Sequence, residues 1–514
     1  MKNGLKKVLV ANRGEIAVRV IRALRERGIV SVAVYSEADR AGLATQMADE
    51  AHCIGPAPSI ESYLRAERIV DLAASIGADA IHPGYGFLSE NAGFARLCEE
   101  RGITFIGPPS AAIAAMGSKI ESRRLMTAAG VPIVPGGTDP LPSAEAARDA
   151  ASKIGYPVML KASAGGGGKG MRLVREESEL EAAFRGATSE AGASFDDASV
   201  YIERFVERPR HVEIQVLGDR HGRIVSLGER ECSLQRRHQK VVEEAPSPVV
   251  DADLRRRMGE AAVRAAAAVN YVGAGTVEFL LDPRGEFYFL EMNTRIQVEH
   301  PVTELVTGVD IVAAQLDIAA GEPLPETLEN GMEPRGHAVE VRLYAEDPFR
   351  NFAPSPGRIE LLQLPEGPGV RNDCGVYEGA EVTIHYDPML AKLIVWGRDR
   401  SDALARLRRA LAETRVEGIR TNLALFERLL EDEDFVTGNM DISMLDRKLE
   451  NGELRPPAPD DDALETDLPV LAVVLAHLER AGANGTATAA GGGAPPSNWR
   501  LAARHDARRG TTWN

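Results

Sequence analysis

The segment MNTRIQVEHPVTE at residues 292–304 is the part of the sequence that best indicates the fold and the kind of site that the chain forms. A strand-like run, TVEFLLDPRGEFYFLE at 276–291, leads directly into it. The segment contains, within eight residues, Asn293, Arg295, Gln297, Glu299 and His300. Burying such groups beside a strand costs on the order of several kcal/mol each unless partners or ligands satisfy them. The pattern therefore predicts either a buried salt-bridge network or a site for metal, phosphate and a small anion that contains a carboxylate base.

Two glutamates flank the turn of the same predicted hairpin. Glu278 and Glu291 lie on the two arms of a hairpin that turns at residues 282–285, and Asn293 follows on the same face as Glu291. Two carboxylates and an amide oxygen are hard ligands that suit Mg²⁺. Glutamates on a solvent face are the alternative, and the apolar residues around them favour the metal site.

A glycine loop, AGGGGKGM at 164–171, separates two further predicted strands, PVMLKAS and MRLVR. It is not a Walker loop, because Lys169 is followed by Gly170 and not by Ser or Thr. Consecutive glycines allow backbone N–H groups to turn toward a phosphate. With Lys161 on the preceding strand, the pattern predicts a mobile lid over a polyphosphate. A floppy hairpin tip without a ligand is the alternative.

Composition limits the class of protein. The chain has 514 residues, enough for about three domains, with 44% hydrophobic and 26% charged residues. It contains no run of 18 apolar residues and no signal peptide, so no membrane partner is expected. The four cysteines lack metal spacing, which predicts reduced thiols and a cytoplasmic location.

The net charge of −16 argues against nucleic acid as a partner. A site for anionic substrates must then be locally positive. One cluster of cationic and histidine side chains meets that demand within eleven residues: Arg230, Arg236, Arg237, His238 and Lys240.

Strand and helix patterns divide the chain into segments. Residues 1–115 alternate strands, such as Ala80–His82, with helices, the first of which begins at about Glu15 and has Ile16 and Val20 on its apolar face. This alternation predicts a parallel, Rossmann-like sheet, but without the G-x-G-x-x-G pattern of a dinucleotide site. Residues 132–206 read as a smaller α+β unit, and residues 207–330 as long strands with a helix. Residues 336–447 begin with strands and end with a helix. The tail from about 450 is rich in Pro, Ala, Gly and Asp, which is typical of a flexible segment.

Eight motifs in series resemble those of biotin carboxylase, a member of the ATP-grasp enzymes. They are ANRGEIA (11–17), IHPGYGFLSEN (81–91), KASAGGGGKGM (161–171), HVEIQV (211–216), RRHQKVVEEAP (236–246), EMNTRIQVEHPVTE (291–304), EVRLYAEDP (340–348) and YDPMLAKL (386–393). The resemblance covers residues 1 to about 447. It implies α/β and α+β architecture: a Rossmann-like N-terminal domain (1–115), an ATP-grasp domain (116–334, lid about 132–206), a biotin carboxylase C-terminal domain of mixed strands and helices (335–447) and a flexible tail (448–514).

The resemblance also implies roles for the matching residues. For ATP it implies Lys119, Lys161, Gly167, Gly168, Glu203, Arg204, Phe205, Val206, His211, Gln235 and His238, together with Glu278 and Glu291. Of these, residues 203–206 would line the adenine pocket, mostly through their backbone. For Mg²⁺ or Mn²⁺ it implies Glu278, Glu291 and Asn293. For bicarbonate it implies Lys240, Arg295, Gln297 and the backbone of Val298, with Glu299 as general base. For biotin it implies Arg342, which would stabilise the enolate, and Tyr85 near the ring.

The implied activity is ATP-dependent carboxylation of biotin N1 by bicarbonate through carboxyphosphate. No AMKM-type motif occurs in the sequence, so biotin is expected on a separate biotin carboxyl carrier protein. Carboxyltransferase subunits are the other expected partners, and a homodimer, with Arg22, Glu26 and Arg371 at its interface, is the family expectation. Acetyl-CoA, leading to malonyl-CoA and fatty acid synthesis, is the predicted acceptor. Propionyl-CoA, methylcrotonyl-CoA and pyruvate are alternatives.

Two other functions fit the sequence less well. A non-catalytic ATP-grasp scaffold would not need the base, metal and bicarbonate groups, all of which are present. Another ATP-grasp ligase would not need Arg342 and HPGYGFLSEN. The tail sequence NWRLAARHDARR (498–509) resembles a segment of some acyl-CoA carboxylase subunits. It predicts either a docking segment for a partner subunit or a disordered tail.

Overall fold

The computed structural model describes residues 4–137, 140–162, 171–195, 197–328 and 333–456. The sheets and helices below belong to one compact unit that ends at Arg455. The tail segments after residue 456 and the glycine loop at 163–170 lie outside the described residues. Among the described helices, none is long and apolar enough to cross a bilayer.

The first hundred residues form the predicted parallel sheet, in the order β3-β2-β1-β4-β5. Its strands are β1 (Lys7–Val10), β2 (Val30–Ser36), β3 (Glu50–Gly55), β4 (Ala80–His82) and β5 (Thr104–Phe105). Its helices are α1 (Gly14–Glu26), α2 (Leu43–Met47), α3 (Ala66–Ser75) and α4 (Ala92–Glu100), with short 3₁₀ turns at Glu37–Asp39 and Ser59–Glu61. The predicted apolar face of α1, which includes Ile16 and Val20, is buried. The sequence pattern does not predict β3, because EAHCIG lacks a clear apolar alternation.

A small antiparallel sheet, β7-β6-β8, forms the predicted α+β unit. Two helices lead from the first sheet toward it, α5 (Ser110–Gly117) and α6 (Lys119–Ala128). The unit contains α7 (Ala144–Ile154), β6 (Val158–Ala162), β7 (Met171–Val174), α8 (Glu177–Phe195) and β8 (Val200–Arg204). Lys161 pairs with Met171, so the glycine loop connects two adjacent antiparallel strands, as predicted.

The third sheet has eight strands in the order β13-β12-β9-β10-β11-β14-β21-β19. Six of them are β9 (Arg210–Gly218), β10 (Ile224–Arg236), β11 (Gln239–Ala245), β12 (Gly273–Leu281), β13 (Phe287–Asn293) and β14 (His337–Tyr344). The helices in this part of the chain are α9 (Ala252–Ala267), α10 (His300–Thr307) and α11 (Ile311–Ala319), followed by a 3₁₀ turn at Glu326–Leu328. Val242 on β11 pairs with Val341 on β14. The sheet is therefore continuous across residue 334, where the sequence predicts a domain limit.

The last hundred residues complete this sheet and cover it. They contain β15 (Glu346–Asp347), β16 (Ala353–Pro354), β17 (Gly357–Arg358), β18 (Leu361–Gln363), β19 (Val370–Cys374), β20 (Glu381–Val382), β21 (Met389–Gly397) and β22 (Arg415–Glu417). Their helices are α12 (Arg400–Glu413), α13 (Leu423–Leu429), α14 (Glu433–Thr437) and α15 (Met444–Glu450). Leu407 and Leu411 of α12 pack in one apolar core with Val395 of β21, which holds the helix against the strand that carries Lys392.

Candidate active site

A cavity of about 1210 Å³ lies between the first sheet, the small sheet and the eight-stranded sheet. Its wall includes most of the predicted site residues: Tyr85, Lys119, Lys161, Glu203, Arg204, Phe205, Val206, His211, Gln235, His238, Lys240, Glu278, Glu291, Asn293, Arg295, Gln297, Val298 and Arg342. Glu299 is fully buried next to this wall. Gly167 and Gly168 lie outside the described residues. Side chains from sequence positions 85 to 342 thus meet around one space.

Strand register places a row of charged residues across four neighbouring strands. Glu291 on β13 is opposite Glu278 on β12, Glu278 is opposite Glu213 on β9, and Glu213 is opposite Arg230 on β10. Directly paired residues point to the same face of a sheet. The row therefore brings three carboxylates together from segments that are far apart in sequence.

Lys240 is the shared cation of this cluster. Its Nζ lies 2.5 Å from Oε2 of Glu213, 2.8 Å from Oε1 of Glu278 and 2.7 Å from Oε1 of Glu299. Although burial opposes the charged form, these carboxylates raise the pKa of Lys240 well above its ordinary value. Lys240 follows a two-residue turn in which Arg237 and His238 have φ of 48° and 66°. Positive φ at both positions is the geometry of a type I′ hairpin turn.

Glu299 occupies the N-cap position of α10. Pro301 suits the first turn of this helix, and Gly308 ends it in the left-handed conformation with φ of 75°. The positive end of the helix dipole favours a negative charge at this point. Glu299 Oε2 also accepts a hydrogen bond from Arg342 at 2.9 Å. Burial opposes ionisation, but the charges of Lys240 and Arg342 hold the pKa of Glu299 well below its ordinary value.

Arg342 bridges two carboxylates. Besides Glu299, its guanidinium lies 2.6 Å from Oε1 of Glu243. Burial raises the pKa of Glu243 to about 7, and the charge of Arg342 opposes that rise. Arg342 lines the cavity, so its guanidinium is placed both to hold the predicted base and to face a ligand.

The predicted metal ligands stand at the start of the charged row. Asn293 donates from Nδ2 to Oε1 of Glu278 at 2.8 Å. The charge of Glu278, together with burial, raises the pKa of Glu291, as expected of two like charges that face each other across paired strands. Oxygen donors of this kind fit Mg²⁺ or Mn²⁺. One atom each from His211, Glu213 and Glu278 also lies within 4.8 Å of the other two, so His211 is close to the same position.

The predicted bicarbonate residues are brought together by hydrogen bonds. Arg295 donates to Oε1 of Gln297 at 3.1 Å and to Oδ1 of Asn293 at 3.2 Å. Gln297 donates to Oε1 of Glu278 at 3.1 Å, so it lies beside the carboxylate that Lys240 contacts. Arg295 also donates to Oε2 of Glu90 at 2.9 Å, a contact with the N-terminal segment that sequence analysis missed.

On the nucleotide side, the Glu203 carboxylate is already engaged. Lys161 Nζ lies 2.5 Å from Oε2 of Glu203, and Arg123 contacts the other oxygen. Because these ion pairs engage the Glu203 side chain, the backbone is what remains for the adenine contacts implied for residues 203–206, and those contacts stay a prediction. The Nε2 of Gln235 lies 2.7 Å from the Nδ1 of His211. Burial lowers the pKa of a third residue predicted to bind ATP, Lys119.

The structure separates the five residues of the predicted basic cluster. His238 and Lys240 line the cavity. Arg230 is fully buried, with Nε 2.5 Å from Oε1 of Glu213. Arg236 and Arg237 instead donate to Asn351 at the surface. Proximity in sequence does not group these side chains, because Arg230 is in a strand interior whereas Arg236 and Arg237 are at its turn.

Several residues of the site carry no role in the sequence analysis: Glu15, Glu213, Glu243 and Lys392. All four lie inside quoted motifs: ANRGEIA, HVEIQV, RRHQKVVEEAP and YDPMLAKL. Charged residues inside apolar strand or helix patterns were the available signal. Arg371, predicted at a dimer interface, forms ion pairs within the chain at 2.6 Å to Glu304 and 2.8 Å to Asp373.

Family models match three consecutive parts of the chain. They are the biotin carboxylase N-terminal domain at residues 4–113, the ATP-binding domain of the carbamoyl-phosphate synthase L chain at 118–327 and the biotin carboxylase C-terminal domain at 340–447. A biotin carboxylase of Nostoc sp. is 53% identical over 439 residues, which cover 85% of this chain and 98% of that protein. The chain belongs to the biotin carboxylase family. The resemblance and the fold class inferred from the sequence are confirmed.

Other members of the family have additional segments. The α subunit of methylcrotonoyl-CoA carboxylase from Rattus norvegicus is 56% identical over 437 residues, which cover 85% of this chain and 61% of that protein. The chain thus matches less than two thirds of the length of that relative.

Solved structures of the family have the same fold. The biotin carboxylase domain of Hydrogenobacter thermophilus 2-oxoglutarate carboxylase, crystallised as a dimer with Mg-ADP, ADP and bicarbonate, has a TM-score of 0.83 and 48% identity. The match covers 89% of this chain and 100% of the Hydrogenobacter thermophilus chain. The biotin carboxylase of Campylobacter jejuni, in complex with β,γ-ATP, has a TM-score of 0.82 and 46% identity. This match covers 86% of this chain and 99% of the Campylobacter jejuni chain.

Proposed function

We propose that this chain is a biotin carboxylase, an ATP-dependent ligase that carboxylates N1 of biotin with bicarbonate. The observation that carries the proposal is the buried arrangement of Lys240 with Glu278 and Glu299. It joins the predicted metal ligand, the anion-binding cation and the base within hydrogen-bond distance. The relatives crystallised with Mg-ADP and bicarbonate, and with a nucleotide, support both substrates.

Bicarbonate is a poor nucleophile, so its activation is the first task of the site. Glu299 is held ionised by its neighbours and accepts the bicarbonate proton as a general base. Lys240, Arg295 and Gln297 hold the resulting anion in position for attack on the γ-phosphorus of ATP. A new oxygen–phosphorus bond forms as the bond to ADP breaks, which yields carboxyphosphate.

Glu278, Glu291 and Asn293 would hold Mg²⁺ or Mn²⁺, which neutralises charge on the phosphates. Lys119, Lys161 and His238 add positive charge or donors along the cavity wall. Carboxyphosphate decays in water, and exclusion of water is the role we assign to the glycine loop.

Biotin N1 is a very weak acid until its ureido oxygen acquires enolate charge. The Arg342 guanidinium favours that charged form. N1 then forms a bond to the carboxyl carbon as the carbon–oxygen bond of carboxyphosphate breaks, and the phosphate that leaves takes up the N1 proton. Tyr85 is on the cavity wall, and its hydroxyl donates to Glu15. We place the biotin ring between Tyr85 and Arg342.

Biotin would arrive on a separate carrier protein, and carboxyltransferase subunits would use the product. We retain acetyl-CoA as the predicted acceptor, which would place the reaction before malonyl-CoA and fatty acid synthesis. Relatives named for methylcrotonoyl-CoA and pyruvate support those acceptors as alternatives. The homodimer is supported by a dimeric relative. The cytoplasmic location stays a prediction.

The test is release of ADP by the purified chain with Mg-ATP and bicarbonate, with and without free biotin, beside Glu299→Gln. Biotin-stimulated turnover that collapses in the variant is the expected result. ATP turnover that does not respond to biotin would indicate another ATP-grasp ligase. Nucleotide binding without turnover would support the scaffold alternative.

The tail forms a separate part of the proposal. We assign residues 450–514 to docking of a partner subunit, on the resemblance of 498–509 to a segment of acyl-CoA carboxylase subunits. Deletion of 450–514 should abolish assembly with the partner while free biotin is still carboxylated. Unchanged assembly would contradict this assignment.

A further inference from the structure

The short loop that precedes α10 has two of its backbone carbonyl groups held by buried side chains. His300 Nδ1 lies 2.7 Å from the carbonyl oxygen of Gln297. Lys392 Nζ lies 2.8 Å from the carbonyl oxygen of Val298. Both side chains are 0% exposed, so each contact is shielded from competing water. Gln297 and Val298 line the cavity whereas His300 and Lys392 do not, so buried side chains behind the cavity wall hold the loop at 297–299.

The chemical state of His300 follows from its partner. A carbonyl oxygen can only accept a hydrogen bond, so Nδ1 must carry the proton. Burial lowers the pKa of His300 well below its ordinary value, which keeps the ring neutral. The neutral Nδ1–H ring therefore donates to Gln297.

The Gln297 carbonyl oxygen also accepts a longer hydrogen bond from the backbone N–H of His300, at 3.4 Å. The shorter side-chain hydrogen bond, at 2.7 Å, fixes the carbonyl and therefore the direction of the next amide. The described residues have cis peptide bonds at Tyr156-Pro157 and Ala245-Pro246, so the peptide between Gln297 and Val298 is trans. In a trans peptide the C=O and N–H groups point in opposite directions. Because His300 holds the Gln297 carbonyl, the N–H of Val298 points away from His300. Val298 lines the cavity.

We propose that His300 and Lys392 are positioning residues that aim the backbone of the 297–299 loop at bicarbonate. His300 directs the Val298 N–H, and Lys392 fixes the following peptide, which carries the N–H of Glu299. Neither side chain needs to touch the substrate. The inference rests on the proposed function, because it specifies how the anion site of that enzyme is built.

Lys392 also connects the loop to the biotin side of the cavity. Its Nζ lies 3.2 Å from Oε1 of Glu15 and 3.7 Å from Oδ2 of Asp373. Despite burial, these carboxylates raise the pKa of Lys392. Glu15 accepts the hydroxyl hydrogen bond of Tyr85. A continuous chain of contacts therefore runs from Tyr85 through Glu15 and Lys392 to the Val298 carbonyl.

The test uses the full chain with saturating free biotin and measures KM for bicarbonate and for ATP separately. His300→Leu and Lys392→Met each remove one donor. We expect the bicarbonate KM to rise about tenfold in each, a loss that corresponds to one hydrogen bond, with the ATP KM within about twofold. His300→Asn keeps an N–H donor with a shorter reach, so its bicarbonate KM should lie between those of wild type and His300→Leu.

Two matched controls come from the same chain. His337 is buried and its Nε2 lies 2.6 Å from Oε2 of Glu244. Lys448 is buried and its Nζ lies 2.6 Å from Oδ2 of Asp432. His337→Leu and Lys448→Met remove comparable buried partners in other parts of the fold, and should leave the ratio of the two KM values unchanged.

Parallel rises in both KM values, or the same bicarbonate effect in the controls, would overturn the proposal, because either result indicates general structural damage. If the apolar variants fail to fold, His300→Asn decides: a rise confined to bicarbonate supports the inference, and unchanged or parallel constants contradict it. A wild-type chain without bicarbonate-dependent ADP release would instead refute the proposed function, and this inference with it.

Discussion

Substitution of Lys240 by methionine should leave three buried carboxylates, those of Glu213, Glu278 and Glu299, without the cation that contacts all of them. Glu213 keeps Arg230 at 2.5 Å and Glu299 keeps Arg342 at 2.9 Å, but the cluster loses its shared cation. Removing one partner from a buried ion pair costs about 3–5 kcal/mol, because a charge is left uncompensated. We therefore expect the ligand-free variant to lose roughly 3 kcal/mol of stability, seen as a fall in Tm of about 3–8 °C.

The same substitution should change the pH dependence. In the wild type the folded-state pKa of Glu299 is depressed, so its stabilising contribution is present above the unfolded pKa and is lost as pH falls through the folded pKa. Without Lys240, burial dominates and the pKa of Glu299 rises. The variant should then have a smaller fraction of ionised base at neutral pH. Bicarbonate-dependent ADP release should fall by about 10²–10³-fold and recover in part as pH increases.

The assay is ADP release across roughly pH 6–9, together with thermal unfolding of the ligand-free protein. Lys448→Met is the control, because Lys448 is also buried and paired with carboxylates, Asp432 and Asp434. Its loss should lower Tm without moving the pH profile. A Lys240→Met variant with wild-type bicarbonate KM and an unchanged pH profile would refute the role of Lys240 as the shared cation of the three carboxylates.

Three further predictions address separate parts of the molecule. Arg342→Gln should lower biotin-stimulated turnover by about 10²-fold, and a variant that retains stimulation by free biotin would contradict its role toward the enolate. Glu291→Gln removes the repulsion from Glu278, so the ligand-free protein should be as stable as wild type or more so, whereas the rise in Tm on adding Mg-ATP should shrink. A rise equal to that of wild type would contradict the metal assignment. Cys53 is exposed and the other three cysteines are buried, and burial raises the pKa of Cys98 to about 12. One thiol should therefore react rapidly with a thiol reagent in the native protein and four after denaturation.

Local patterns in the sequence were sufficient for much of the fold. The strand at Ala80–His82 agrees with the structure to the residue, and the face of α1 is buried as expected. The glycine loop does connect two antiparallel strands. These features follow from the periodicity of apolar residues and from turn residues, which act over a few positions. The edge strand at Glu50–Gly55 was missed, because an exposed edge needs no apolar alternation.

The candidate site, like the fold, was predictable from the sequence only in part. The pairing of Glu278 with Glu291 was predictable, because a short hairpin fixes the register of its own arms. The roles of the site residues stay predictions, although the structure brings most of those residues to one cavity. Arg230, Arg236 and Arg237 show the limit of sequence proximity, since a strand interior and a turn send neighbouring residues to different places.

The sequence by itself determined the family and the parallel first sheet, and it predicted side chains for binding metal, phosphate and bicarbonate. Only the tertiary structure decided which buried charges neutralise those side chains. Lys392 reaches the Val298 carbonyl across 94 positions, and Glu213 faces both Glu278 and Arg230 through the registers of three strands. Such contacts depend on the order and register of strands that are distant in sequence. The pKa shifts have the same cause, because the ionisation of a buried group depends on the neighbours that packing brings to it.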